Sequence, residues 1–279
     1  MEIQQLRSAT MLVSFGTHRL LVDPMLAEAG AMPAFRMFGG ERKRNPLVPT
    51  PPQTPAALER ATGVLITHEH PDHFDTAGRA WTKAAGLPVW ANRMDVPRLR
   101  RKGLDARSLE DGGLGVTLEV VPSRHGRGLL GWILGPVAGY YLAADGEPSL
   151  YITGDSILTD SVREAIERLQ PDIVVAPAGS ANMGIGGDIL FSVDELVELT
   201  RLAPADVVFN HLEALDHCPT TRAGLRERMQ AEGLSQRVHI PEDGEVLSFQ
   251  QHSAHRPQTR QINLTPGFQK WMTSPLAGG

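Results

Sequence analysis

The feature that most constrains this chain is a cluster of histidines and acidic residues directly after a short apolar segment. The segment, residues 63–67, is a continuous apolar run typical of a strand buried on both faces. His68 and His70 follow it at spacing i, i+2, which puts both side chains on one side of an extended backbone. Asp72 and His73 come next, in a turn that leads into a predicted helix. Imidazole and carboxylate groups are typical zinc ligands, so the cluster predicts a metal position and a second one beside it.

Hydrophobic periodicity and turn residues predict strands first and then alternating strands and helices. The predicted strands are 6–15, 18–22, 63–67, 89–91, 116–121, 139–144, 150–153, 172–176, 207–209 and 246–249. The predicted helices are 76–85, 96–102, 161–169, 192–202 and 220–232. Two sheets covered by helices fit this order, and so does a doubly wound sheet, because periodicity does not choose between them.

The domain organisation follows from length and from the distribution of proline and glycine. We expect one catalytic domain over residues 1–249 and a C-terminal tail, 250–279, which contains several prolines and no acidic residue. Residues 27–55 lack periodicity and are interpreted as a loop that forms a lid or pocket wall, with a surface excursion as the alternative. Segments 176–191 and 212–222 are the other two loops expected to shape a substrate pocket.

Residues 67–73, Thr-His-Glu-His-Pro-Asp-His after an apolar strand, resemble the signature of the metallo-β-lactamase superfamily. That family has an α/β (α+β) fold, a four-layer αββα sandwich with metals at one rim. It also places a histidine, an aspartate and a histidine, in that order, after three later strands. This chain offers His125, Asp155 and His211 at such places. Singly, each has an ordinary explanation, such as a helix N-cap for Asp155, but their order favours ligands.

The resemblance implies two divalent metal ions, with zinc expected and manganese or iron as alternatives. The implied ligands are, for the first ion, His68, His70 and His125, and for the second, Asp72, His73 and His211. Asp155 would bridge the two ions. A metal-bridging hydroxide, available at neutral pH because a metal lowers the pKa of bound water to about 7, would attack the substrate. Asp72 and His217 are the candidates for supplying a proton to the leaving group, so the implied catalytic residues are Asp72, Asp155 and His217.

Further polar residues are candidates for supporting roles around this site. Asp23 and Asp75 are interpreted as carboxylates that accept the free N–H of metal-binding histidines, since such partners are common. A simple Asp-Pro turn is the alternative for Asp23. Arg124, Arg127 or Arg222 would pair with an anionic substrate group, although a loop arginine is more often only solvated.

The N-terminal segment and the Leu-Val-Asp-Pro-Met turn at 21–25 resemble the ascorbate-6-phosphate lactonase-like branch of the superfamily. This resemblance implies hydrolysis of a small lactone or ester. A phosphodiesterase and a thioesterase of the same fold are alternatives. An alternative of another class is a mononuclear iron oxygenase of the persulfide type, and a non-enzymatic binding protein is a further one.

Composition limits the partners and the compartment. The net charge of −5 gives no attraction for long nucleic acid, and no apolar run approaches the roughly 18 residues of a membrane span. One cysteine, Cys218, suits a reducing compartment, and the N-terminus shows no signal peptide, so a cytoplasmic location is expected. The expected partner is a small-molecule substrate, and the oligomeric state leaves no mark in the sequence.

Overall fold

The computed structural model describes residues 1–184, 186–251, 257, 259 and 260. Within this part of the chain, two β-sheets are covered by α-helices. The strands are β1 (Glu2–Arg7), β2 (Thr10–Phe15), β3 (His18–Val22), β4 (Gly63–Leu65), β5 (Val89–Ala91), β6 (Ala106–Ser108), β7 (Thr117–Arg124), β8 (Pro136–Ala143), β9 (Leu150–Ile152), β10 (Ile173–Pro177), β11 (Asp206–Asn210), β12 (Val238–His239) and β13 (Val246–Ser248). The helices are α1 (Thr54–Arg60), α2 (Thr76–Ala85), α3 (Val96–Arg101), α4 (Gly128–Leu134), α5 (Asp160–Leu169), α6 (Val193–Leu202) and α7 (Arg222–Ala231).

Each sheet combines an antiparallel and a parallel part. The first sheet has the order β13-β1-β2-β3-β4-β5-β6, and neighbours from β3 to β6 run parallel. The second sheet has the order β12-β11-β10-β9-β8-β7, and neighbours from β9 to β12 run parallel. Ligand sites in α/β sheets form at the carboxyl ends of parallel strands. The segments that follow β4, β9 and β11 are therefore the natural places for a site.

The buried side chains form layers that correspond to the αββα sandwich. One apolar cluster fills the space between the sheets and joins residues such as Met11 and Val13 of the first sheet to Tyr140 and Val208 of the second. A second cluster packs α5, α6 and α7 against the outer face of the second sheet. A third cluster packs α1, α2 and α3 against the outer face of the first. The four-layer fold predicted from the sequence is confirmed, and the doubly wound alternative is wrong.

Several predicted elements agree closely with the structure because their ends carry strong local signals. Helix α2 has the predicted bounds, and the Asp75 side chain accepts a hydrogen bond from the Gly78 N–H at its N-terminus. Helix α6 begins with the predicted capping box, in which Ser192 and Glu195 bind each other's backbone N–H groups. Strand β9 pairs with β8 antiparallel, as the turn at 145–146 indicates.

Other elements differ from the prediction. The predicted strand 6–15 is two strands, because Ser8 adopts a positive φ of 54° and turns the chain between β1 and β2. Four short elements have no counterpart in the sequence prediction, namely helices α1 and α4 and strands β6 and β12. Helix α4 contains glycines at positions 128 and 131, which weaken the helical signal in the sequence.

The end of the described chain is β13, which pairs antiparallel with β1 at the edge of the first sheet. The predicted tail 250–279 lies largely outside the described residues, so its separation from the domain at residue 249 stays a prediction. Among the helices that the structure describes, none has the length and apolar character needed to cross a membrane.

Candidate metal centre

The turn after β4 brings the first group of histidines together. His68 and His70 lie with their rings 4.4 Å apart, and His68 Nε2 is 2.9 Å from His70 Nδ1. His125, directly after β7, lies with its ring 5.1 Å from that of His70. One potential ligand atom of each of the three lies within 4.8 Å of the others. The sequence-predicted first ligand set is therefore assembled in space from both sheets.

A second group of ligand atoms lies beside the first, and its residues are all buried. Its members are Asp72, His73, Asp155 and His211, whose ligand atoms also lie within 4.8 Å of one another. His211 directly follows β11 and has a positive φ of 59°, a conformation that few residues other than glycine adopt. The second predicted ligand set is thus also brought together.

The carboxylate of Asp155 lies between the two groups. Its Oδ2 is 3.1 Å from His73 Nε2 and 3.8 Å from His211 Nε2, on the second group's side. The same oxygen is 3.4 Å from His125 Nε2 and 4.0 Å from His68 Nε2, on the first group's side. Asp155 could therefore offer a ligand oxygen to an ion held by either group.

Local structure fixes the shape of the turn over residues 68–73, called the ligand turn. The backbone N–H groups of His73 and Phe74 both donate to the His70 carbonyl, which closes a tight turn around Pro71. Phe74 is fully buried in the cluster between the first sheet and its helices, so it anchors the end of the turn. Glu69, between the two histidines, is buried and pairs with Arg98 and with Lys102 of the segment that ends α3. The turn is therefore held from its outer side.

Contacts at Nδ1, the ring nitrogen directed away from the metal position, orient several of the imidazoles. Asp23 Oδ2 accepts from His73 Nδ1 at 2.8 Å, the contact that the sequence suggests for Asp23. The Ile189 carbonyl accepts from His125 Nδ1 at 2.8 Å, and Cys218 Sγ lies 3.5 Å from His211 Nδ1. A partner on Nδ1 fixes the tautomer and directs Nε2 at the metal position. Ile189 and Cys218 were not identified from the sequence, because a backbone carbonyl and a lone loop cysteine carry no pattern there.

Asp75 has a different role from the one predicted. Its carboxylate accepts from the Gly78 N–H at the start of α2 and from the Ala27 N–H. It therefore caps a helix and holds the beginning of segment 27–55 rather than orienting a metal-binding histidine.

Burial and charge shift the ionisation of the site. Burial lowers the pKa of His125 to about 4 and that of His68 well below its usual range. Burial also opposes the charge on His73, but the carboxylates of Asp155 and Asp23 outweigh it and raise the pKa of His73 to about 10. Burial opposes the charge on Asp155 as well, yet the imidazoles of His73 and His211 hold its pKa well below normal. Without an ion, protonated histidine balances the buried carboxylates.

The donor set fits divalent ions. Among the described residues, His73 Nε2, His211 Nε2 and Asp155 Oδ1 are buried atoms without a hydrogen-bond partner. Buried polar atoms normally have partners, so such atoms on three neighbouring residues indicate a ligand site. Each group supplies imidazole nitrogen, and the second also supplies carboxylate oxygen, the chemistry that zinc and other first-row ions bind.

His217 lies next to the second group. Its Nε2 is 3.9 Å from Asp72 Oδ2, its ring meets the edge of Phe35, and it is buried. Burial is the main reason that its pKa is lowered, so the ring is neutral at pH 7. The structure thus brings the predicted catalytic residues Asp72, Asp155 and His217 into one site.

Segment 27–55 is held against the site by a half-buried carboxylate and a buried guanidinium. The Asp216 carboxylate accepts from the backbone N–H groups of Phe35, Arg36 and Lys43 and from the Asn45 side chain. The Arg7 guanidinium, fully buried, donates to the carbonyl groups of residues 25, 27 and 48. The side of the segment that carries Phe35 therefore faces His217.

A cavity of about 550 Å³ opens beside the first group of histidines. Its lining includes His68, His70, Met94, Arg98, Arg101 and Leu134. This volume lies within the range of pockets that bind small molecules. The three arginines suggested by the sequence are absent from this lining. Arg127 pairs with Glu195, and the buried Arg222 pairs with Glu213 and Asp243.

Fold and site together define a metal-dependent hydrolase of the metallo-β-lactamase fold, and comparison with known proteins agrees. The profile of the β-lactamase superfamily domain matches residues 18–212. The chain belongs to this superfamily. It is 30% identical over 255 residues to the UPF0173 protein YddR of Bacillus subtilis, which covers 89% of this chain and 100% of that protein. It is 25% identical, over the same shares of both chains, to a UPF0173 metal-dependent hydrolase of Pyrobaculum neutrophilum.

A solved structure extends the comparison. The isothiocyanate hydrolase from Delia radicum gut bacteria superposes with a TM-score of 0.82 and 29% identity, covering 90% of this chain and 100% of that one. The superfamily resemblance read from the motif is thus confirmed, while the lactonase-like branch stays a prediction.

Proposed function

We propose that the protein is a dinuclear zinc hydrolase that cleaves a small lactone or ester. The observation that carries this proposal is the position of Asp155, whose Oδ2 lies within 4.0 Å of ligand nitrogens from both histidine groups. A site for one ion would need only one of these groups. Zinc is favoured by the predominance of imidazole, and manganese and iron are the alternatives.

Bound divalent ions would supply hydroxide at neutral pH and polarise the carbonyl oxygen of the substrate. Side chains of the protein would carry out the proton transfer to the leaving group. His217 is neutral at pH 7, so it can take up a proton at a ring nitrogen and return it to the leaving oxygen. Asp72, 3.9 Å from His217, stabilises the imidazolium that forms in between. Burial of both side chains excludes bulk water from this transfer.

The test is hydrolysis of a substrate panel by protein loaded with two equivalents of zinc. The panel contains δ-valerolactone, 4-nitrophenyl butyrate, bis(4-nitrophenyl) phosphate and S-lactoylglutathione. We expect turnover of the lactone or the ester. The turnover rate should be about 100-fold or more lower in His217→Gln, because general acid–base catalysis contributes a factor of that size. Preferred turnover of the phosphodiester or the thioester would move the protein to one of those alternatives. Iron-dependent oxygen consumption with glutathione persulfide would support the oxygenase instead.

A second candidate function is hydrolysis of an isothiocyanate, favoured by the similarity to the isothiocyanate hydrolase over that enzyme's whole length. Water would add to the central carbon of R–N=C=S, and the resulting thiocarbamate would break its C–N bond to give an amine and carbonyl sulfide. His217 would deliver the proton to nitrogen. Amine released from benzyl isothiocyanate, measured beside the ester assay, decides between the two functions.

We place this reaction in the cytoplasm, on a small molecule rather than on long nucleic acid. The acidic net charge of −5 and the single, buried Cys218 support that assignment. Fractionation of cells followed by immunodetection tests it. Detection of the protein outside the cytoplasmic fraction would contradict the assignment.

A further inference from the structure

The cavity beside His68 and His70 has walls of different character. Helix α3 contributes Arg98 and Arg101, which lie three residues apart and therefore on one face of the helix. Leu134, Pro136 and Val137, from the end of α4 and the start of β8, contribute apolar side chains. The two metal-ligand histidines contribute to the same lining. A molecule with its reactive group at the histidines would therefore extend between a charged wall and an apolar wall.

Arg98 is neutralised by acidic neighbours that also line the cavity. Its guanidinium lies 2.5 Å from Glu69 and 3.1 Å from Asp95. Lys102 pairs with Glu69 as well. The pairs of Arg98 and Lys102 with Glu69 hold α3 against the ligand turn, so neither cation is available to a substrate without breaking that contact.

Arg101 differs from Arg98 in this respect. It lines the cavity and is exposed, and its side chain forms no ion pair or hydrogen bond with any residue that the structure describes. The cations are Arg98, Arg101 and the adjacent Lys102, and the carboxylates are those of Glu69 and Asp95. The cations exceed the carboxylates by one positive charge, which Arg101 carries. A guanidinium binds carboxylate and phosphate oxygens through two parallel hydrogen bonds.

We propose that Arg101 binds an anionic group, carboxylate or phosphate, on the substrate, in the cavity beside the metal ligands. This inference rests on the proposed function for the reactive end of the molecule and narrows the substrate class to anionic esters or lactones. Arg101 is then a specificity-determining residue, and the apolar wall formed by Leu134, Pro136 and Val137 accommodates the carbon chain between the two ends.

Kinetics with two matched esters tests the proposal. Mono(4-nitrophenyl) glutarate and 4-nitrophenyl butyrate share the reacting ester and differ by one carboxylate. We expect the wild-type protein to prefer the glutarate ester. Arg101→Ala should lower kcat/KM for that ester about 10- to 100-fold, the range expected for a lost charge-assisted hydrogen bond, and change the neutral ester less than about threefold. Arg101→Lys should keep part of the preference.

The control is Arg201→Ala, which removes an exposed arginine from the last turn of α6, away from this cavity. It should leave the ratio of the two kcat/KM values unchanged. An equal loss for both esters in Arg101→Ala would show a structural effect and overturn the proposal. Absence of any preference for the glutarate ester in the wild-type protein would overturn it as well.

Calorimetry separates this inference from the proposed function. Glutarate, 4-phosphonobutyrate and butyrate are titrated into zinc-loaded protein, with no hydrolysis required. Tighter binding of glutarate or 4-phosphonobutyrate than of butyrate, lost in Arg101→Ala, supports the anion site even if neither ester is hydrolysed. Comparing the affinities for glutarate and 4-phosphonobutyrate then distinguishes a carboxylate site from a phosphate site. Equal affinities for all three ligands would overturn the anion site even if both esters are hydrolysed.

Discussion

Replacing Asp23 by asparagine tests how the protein directs the metal-facing nitrogen of His73. The Asp23 carboxylate accepts hydrogen bonds from Thr67 N at 2.8 Å, Thr67 Oγ1 at 2.6 Å and His73 Nδ1 at 2.8 Å. An asparagine that keeps its oxygen on Thr67 N presents its NH₂ group to His73 Nδ1. The ring must then accept at Nδ1 and carry its proton on Nε2, the atom that lies 3.1 Å from Asp155.

The magnitude follows from this change of tautomer. A proton on Nε2 competes with the ion for the same lone pair, and loss of such an outer partner costs about 10- to 100-fold in metal affinity, or about 1.4 to 2.7 kcal/mol. The ion-free protein also loses a charge-assisted hydrogen bond, because His73, with its pKa raised to about 10, is protonated there. We expect that loss to lower the free energy of unfolding by about 1.5 to 3 kcal/mol.

The assay is competition for zinc with a fluorescent chelator at pH 7.5, together with chemical unfolding in EDTA. The control is Asp172→Asn, which changes a buried carboxylate that binds Ser149 at 2.8 and 2.9 Å in a different part of the fold. This control should lower stability and leave zinc affinity within about twofold of wild type. An Asp23→Asn protein that also kept its zinc affinity within twofold would refute the tautomer argument.

Three further predictions concern charge and loop anchoring. Because the pKa of His73 is raised to about 10 without an ion, zinc binding at pH 7 should release about one proton or more, and zinc affinity should rise with pH until about 10. Zinc-binding enthalpies that do not depend on the buffer's ionisation enthalpy would contradict this prediction. Glu69→Gln should weaken zinc binding about three- to tenfold by loosening the ligand turn from α3, as measured by chelator competition; affinity within twofold of wild type would show that Glu69 does not position the turn. Asp216→Ala should speed tryptic cleavage at residues 42–44 about tenfold, since four hydrogen bonds are lost, and an unchanged cleavage rate would mean that segment 27–55 is held elsewhere.

The ligand positions could be predicted because each follows the carboxyl end of a strand in a fixed order. His125 comes one residue after β7 and His211 one residue after β11, so apolar strand patterns located both. The sandwich itself was not determined by periodicity, which fitted a doubly wound sheet equally well. The signature motif supplied the choice between the two folds.

The sequence could not show which arginines are neutralised by ion pairs in the folded protein. Arg222 lies in a predicted pocket segment, but its guanidinium is buried between Glu213 and Asp243, one of them 21 residues away. Arg127 is likewise paired with Glu195, a residue on α6. Which cation is neutralised depends on long-range packing, so Arg101 carried no distinguishing signal. The same reason applies to the hydrogen bond that Asp75 accepts from Ala27, 48 residues away, whereas its capping of α2 is a local contact.

The most direct test of the dinuclear site is the metal content of the purified protein, measured by inductively coupled plasma mass spectrometry beside a His68→Ala, Asp155→Ala double variant. The account predicts two zinc ions per wild-type chain after incubation with excess zinc and desalting. The double variant should lose most of this zinc, because it removes one ligand of the first group and the carboxylate between the groups. A single iron would favour the oxygenase alternative. No bound metal, or the same zinc content in both proteins, would contradict the ligand assignment.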